Sequence, residues 1–170
     1  VSASLLMAPL RAAMQSEARP GVTPAALAAK LNDFIFRSSA PNVFITCFYG
    51  ELNPADGEFR YVNAGHNPPL LLAASGVQWP LEGTGMALGM LAGREYGEGR
   101  ITLNPGDVLI LYTDGLIDAL NAKQERFGLD RLKQLVRDHR RLTAEDLART
   151  INQAVSAFVG DAVQFDDLTL

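Results

Sequence analysis

The chain has 170 residues, of which 48% are apolar, and a formal net charge of -4. That length suits one domain able to bury roughly 70% of its unfolded surface, and the apolar content excludes a disordered chain. No apolar window nears the ~18 residues of a membrane span, no basic block is available to neutralise nucleic-acid phosphates, and the single cysteine, Cys47, excludes an internal disulfide and a thiolate zinc cage.

Residues 4–18 carry Leu6, Leu10 and Met14 on one helical face, and Pro9 predicts a kink or a later helix start. Arg19-Pro20-Gly21 breaks the pattern. Thr23 then caps a second helix, with Pro24 in its first turn and Leu27, Leu31, Phe34 and Ile35 at helical spacing as far as Arg37. Residues 43–52 form a strand apolar on both faces, with Cys47 in it as a small buried hydrophobe. A turn over 53–57 sends the chain back along 58–64, a hairpin. Short strands follow at 70–73 and 77–81, joined by Ser75-Gly76. Glycines from Gly83 to Gly99 imply irregular backbone, and no lysine follows them in phosphate-loop spacing. Residues 100–103 are a strand, and Asn104-Pro105-Gly106-Asp107 is a turn with type II signals. The unbroken apolar run over 108–113 predicts a strand buried on both faces. One helix starts near Gly128, with Leu129, Leu132, Leu135 and Val136 inward. Another is capped by Thr143 and buries Leu147, Ile151, Ala154, Val155 and Phe158. A last apolar strand opens at Phe165.

Hairpins between helical ends predict an α+β fold. Strands apolar on both faces need cover on both sides. Two packed antiparallel sheets flanked by helical layers, an α-β-β-α sandwich, meet that need. The chain does not begin with Met, opens as a helix and stops within a strand, so both ends read as cuts through one domain over 1–170.

The run over 108–113 ends abruptly at Asp114-Gly115, and the last strand opens on Asp166-Asp167. Acids meeting from two buried strands repel, by about 4 kcal/mol per pair at ~4 Å and an effective dielectric near 20. They protonate, lie apart, or hold a divalent cation between them, and the cation is the reading adopted. Oxygen ligands suit Mg or Mn. Asp118 and Glu125 are candidates for outer carboxylates, with exposed acids near a helix start as the plainer alternative. In Asn63-Ala64-Gly65-His66-Asn67-Pro68-Pro69 the histidine could act as acid, base or ligand, but a loop fixing a sharp strand exit is preferred. No Gly-x-Ser-x-Gly elbow supports serine catalysis.

These stretches occur in a familiar order. Residues 63–69, Leu103-Asn104-Pro105-Gly106-Asp107, Tyr112-Thr113-Asp114-Gly115-Leu116-Ile117-Asp118-Ala119, Phe127-Gly128-Leu129-Asp130-Arg131-Leu132 and Asp166-Asp167-Leu168-Thr169-Leu170 resemble the motifs of SpoIIE-like phosphatases. Phe44-Ile45-Thr46-Cys47-Phe48-Tyr49-Gly50 and Gly85-Met86-Ala87-Leu88-Gly89 fit the same pattern. These are bacterial members of the PPM, or protein phosphatase 2C-like, family. The resemblance covers nearly the whole chain.

It implies a serine/threonine phosphatase with two Mn or Mg ions, in which the ions bind phosphate and a bridging water attacks phosphorus in line. The implied metal ligands are Asp114 and Asp166. Gly115, Asp118 and Asp167 would be neighbours, and Asn63, Gly65 and His66 a structural motif near the site. The implied substrate is a phosphoprotein, such as an anti-anti-sigma regulator in partner switching, with a sensory or receiver domain upstream and the cytoplasm as compartment. A non-catalytic binding module on the same fold is the alternative, and a plain ion-binding domain a third. The family's first acidic motif and its Asp-x-x-Gly-x-Gly motif would lie before Val1, so the isolated chain is expected to have little or no activity.

Overall fold

The computed structural model of the chain describes residues 3–40, 43–76, 78–160, 162 and 169–170. The chain is α+β, with two antiparallel three-stranded sheets and five helices among these residues. It divides into two compact units. One comprises Val1–His66 with Glu82–Leu103, the other Asn67–Leu81 with Asn104–Leu170.

The first unit opens with α1 (Ala3–Glu17) and α2 (Pro24–Ser38). Helix α1 runs through Pro9 rather than starting late, so the turn there lacks one backbone hydrogen bond. In α2 the Thr23 hydroxyl accepts from the Ala26 N–H at 3.2 Å and Pro24 occupies the first turn. Leu27, Ala28, Leu31 and Ile35, at helical spacing, are buried with Val62, Ala64 and Leu88. Each of the larger side chains contributes about 1.5–3 kcal/mol by leaving water. Strands β1 (Cys47–Leu52) and β2 (Glu58–Ala64) form the expected hairpin, and β5 (Gly99–Thr102) pairs on the other side of β2. Strand β1 is shorter than its apolar run. Its register pairs Cys47 with Ala64, and Gly65 then turns away with φ +71°, so residues 43–46 keep only a bridge from Ile45 to Leu88. Cys47 packs partly buried against the α2 cluster, and burial raises its thiol pKa, as befits a packing residue.

Asn32 was not singled out by its sequence context, yet it is fully buried. Its Oδ1 accepts from the Gly89 N–H (2.9 Å) and the Tyr96 hydroxyl (3.2 Å), and its Nδ2 donates to the Leu91 carbonyl (2.9 Å). One satisfied amide thus ties α2 to the glycine-rich segment.

In the second unit, β3 (Leu70–Leu72) lies between β4 (Gln78–Pro80) and β6 (Val108–Ile110). Helix α3 (Asp114–Ile117) follows β6, then come α4 (Leu129–Asp138) and α5 (Ala144–Val159). Leu132, Val136, Leu147, Ile151 and Val155 are buried with Leu70, Leu72, Ile110 and Tyr112. Two sequence expectations are corrected here. Strand β6 ends at Ile110, because its register sets Leu70 opposite Ile110 and the next partners would be Pro69 and Pro68, which have no N–H to give. The run is also not buried on both faces: Ile110 and Tyr112 are buried, while Leu111 between them is 41% exposed. The short helix α3 carried no periodic signal and was not anticipated.

Candidate functional site

Asp114 sits at the joint between β6 and α3. Tyr112, two residues before it, and Leu116, two residues after it, are both buried in the second unit's core. Those anchors hold the intervening backbone, and the Asp114 side chain is left exposed. Its Oδ1 accepts from the Gly115 N–H at 3.0 Å. Gly115 itself is buried. On the other side of the joint, the Thr113 N–H donates to the Thr169 carbonyl (3.2 Å), and the Thr169 N–H donates to the Thr113 hydroxyl (3.1 Å). Thr169 was not foreseen as a partner of Thr113. Asp166 and Asp167 lie outside the described residues.

Asp118 is the C-cap of α3, its N–H donating to the Asp114 carbonyl at 2.8 Å. Its carboxylate pairs with Arg126 at 3.0 Å, a solvent-facing pair worth at most about 1 kcal/mol. Bonds from Phe127 N–H to Ala119 carbonyl and Gly128 N–H to Ile117 carbonyl fold the chain back and bring Arg126 to Asp118. Glu125 accepts from the Asn121 amide at 2.8 Å and closes the turn at the tip, so its carboxylate serves that turn.

In the first unit, Asn63 is fully buried at the end of β2. Its Oδ1 accepts from the His66 N–H at 2.8 Å, its N–H donates to the Thr84 hydroxyl at 2.9 Å, and its carbonyl accepts from Thr84 and Gly85 N–H groups. A Cβ on Gly65 would stand 2.9 Å from the Ala87 nitrogen. His66 is half-buried, with Nδ1 3.4 Å from the Thr46 hydroxyl. The segment is thus a tightly bonded strand exit.

The described donor chemistry suits a hard divalent cation, which is satisfied by one or two carboxylates with water completing its shell. Among the described residues no three of His, Cys, Asp and Glu converge. Asp114 is an exposed carboxylate of that kind, and no two further such side chains join it among the described residues.

The family model described as Stage II sporulation protein E (SpoIIE) matches residues 1–170. The chain belongs to the SpoIIE family. This SpoIIE-family chain is 35% identical over 133 residues to Protein IcfG of Synechocystis, covering 75% of the chain and 20% of that protein. It is 27% identical over 173 residues to the phosphoserine phosphatase RsbU of Bacillus subtilis, covering 100% of the chain and 50% of RsbU. It therefore spans half or less of the length of these curated relatives. Among solved structures, the SiaA-PP2C domain of Pseudomonas aeruginosa superposes with a TM-score of 0.83 at 21% identity, over 96% of this chain and 66% of that one. RsbX in complex with magnesium superposes with a TM-score of 0.66 at 16% identity, over 95% and 68%. These neighbours share the PP2C fold. No helix among the described residues is long and apolar enough to cross a membrane.

Proposed function

We propose that the chain is the greater part of a metal-dependent phosphoprotein phosphatase domain that hydrolyses phosphoserine or phosphothreonine. The carrying observation is the Asp114 carboxylate, exposed at the first residue of α3, where buried Tyr112 and Leu116 hold the backbone on either side. The bonded pair of Thr113 and Thr169 supports it, since only two residues separate Thr169 from Asp166 in sequence. Asp114 and Asp166 are the proposed metal ligands in this chain. Further carboxylates would come from sequence beyond it, in keeping with a match to 66% of the SiaA domain.

Two Mn or Mg ions would neutralise phosphate charge and lower the pKa of water at the site. The chain's own task is placement. Asp114 offers an oxygen steadied by the Gly115 N–H, and Leu116 anchors that helical turn in the core. Phosphoryl transfer depends mainly on positioning and charge stabilisation, so no covalent nucleophile is required. The substrate proposed is a phosphorylated regulator of the anti-anti-sigma type in partner switching, in the cytoplasm, with a sensory or receiver domain elsewhere in the protein.

The test is Mn-dependent phosphate release from a phosphoserine regulator. The whole protein, with any sequence beyond 1–170, is expected to turn over, and residues 1–170 alone are not. Turnover by residues 1–170 alone would overturn the ligand assignment. A whole protein that binds the phosphoregulator without hydrolysis would establish a binding module instead.

A further inference from the structure

The last turn of α4 and the residues after it bear Arg137, His139, Arg140 and Arg141 against one acid, Asp138, in a chain of net charge -4. Two of these side chains have structural work. The His139 Nδ1 lies 3.0 Å from the Leu135 carbonyl, and Arg140 donates to the Ala74 carbonyl at 3.2 Å. Arg137 gains from the negative end of the α4 dipole. Arg141 is exposed, and among the described residues it has neither a hydrogen bond nor an ion pair.

Nearby acids are already engaged. Asp138 accepts from the Gln134 amide at 2.8 Å, and Glu145 and Asp146 each pair with Arg149 at 2.9 Å. Asp107 takes the Ala74 N–H on Oδ1 and the Asn104 N–H on Oδ2, both at 2.8 Å. Among the described residues, no carboxylate pairs with Arg141.

Arg140 and Arg141, with Asp107 committed to the Ala74 and Asn104 N–H groups, line an open cleft of about 600 Å³ whose apolar lining is Val108, Leu109, Leu142 and Leu147. Leu142 in its wall is 41% exposed. A smaller hollow of about 250 Å³ continues past Arg137 and His139. The cleft lies at the Asp107 end of β6, roughly 20 Å along the extended chain from Asp114. An apolar lining beside two arginines fits one apolar side chain flanked by carboxylates. Nucleic acid would want a longer cationic track, in a protein without a net negative charge.

We propose that this cleft is a docking surface for an acidic segment of a protein partner, with an apolar side chain seated on Val108, Leu109 and Leu147 and carboxylates on Arg140 and Arg141. The surface is separate from Asp114, and binding at it does not depend on the phosphatase reading.

The test is selection from an unbiased displayed peptide library on the intact protein. Selected peptides are expected to be rich in Asp and Glu around an apolar residue. Arg141→Glu should weaken their binding at least about tenfold, and ~0.5 M salt should weaken it in the unaltered protein. Arg11→Glu, an exposed charge reversal on α1, should leave it unchanged. Arg137→Glu provides a second variant, in the adjoining hollow, expected to weaken binding less, and thermal melting confirms that each variant folds. Selected peptides without acidic enrichment, binding by Arg141→Glu as tight as by the unaltered protein, or tighter binding of duplex DNA or phosphatidylserine vesicles would each overturn the proposal.

Discussion

At the scale of single residues, the strand exit at 63–66 depends on two requirements. Asn63 must be able to bond in full burial, and Gly65 must adopt φ +71° with Ala87 pressed against it. Gly65→Ala would impose both a left-handed conformation and a contact of 2.9 Å with backbone nitrogen. It is expected to cost about 1–3 kcal/mol, read as a lower urea midpoint; an unchanged midpoint would refute the requirement. Asp107 gives a pH-dependent case. Partial burial raises its pKa, but hydrogen bonds from Asn104 and Ala74 outweigh that and hold the group below its ordinary value. A carboxyl depressed in the folded state stabilises the fold above its unfolded pKa of about 3.9 and loses that contribution as pH falls through the folded value. Asp107→Asn should therefore flatten the acid limb of the stability profile, measured by thermal melting below about pH 4. An identical limb in both proteins would count against this reading. Asp114 stood out in the sequence because an apolar run stops at it. The Asp118–Arg126 pair did not, because the turn between them, eight positions from one to the other, decides whether those charges meet.

Among the elements, most boundaries followed from local chemistry. Thr23-Pro24 opens α2, Thr143 caps α5 by accepting from the Asp146 N–H at 3.1 Å, and the turn at 53–57 joins β1 to β2. The errors came where a partner sets the length. Apolar content alone extends β6 to Thr113, but Pro68 and Pro69 end the ladder from the facing strand. Gly65 ends β1 in the same way, since its turn removes the partner of residue 46. Helix α1 is the opposite case, continuing past a proline that local rules set against it. Pro9→Ala restores an N–H to an exposed position. It is expected to stabilise the protein by up to about 3 kcal/mol, seen as a higher melting temperature. A lower melting temperature would mean that Pro9 holds a needed bend.

For the molecule as a whole, two sheets, each with its own buried cluster, give the α+β fold that the hairpins and flanking helices announced. The family was legible too, because several modest motifs stand in one order over 170 residues. The cationic cleft was not legible. Val108, Leu109 and Leu147 are distant in sequence from Arg140 and Arg141 or differ from them in element, and only folding places them around one opening.

The proposed chemistry reduces to whether Asp114 holds a divalent ion that the reaction needs. Asp114→Asn keeps size and shape while removing the charge. Measured in the whole protein, Mn-dependent phosphate release from a phosphoserine regulator should be lost in this variant while thermal melting without metal stays unchanged. Release at the unaltered rate would contradict the account.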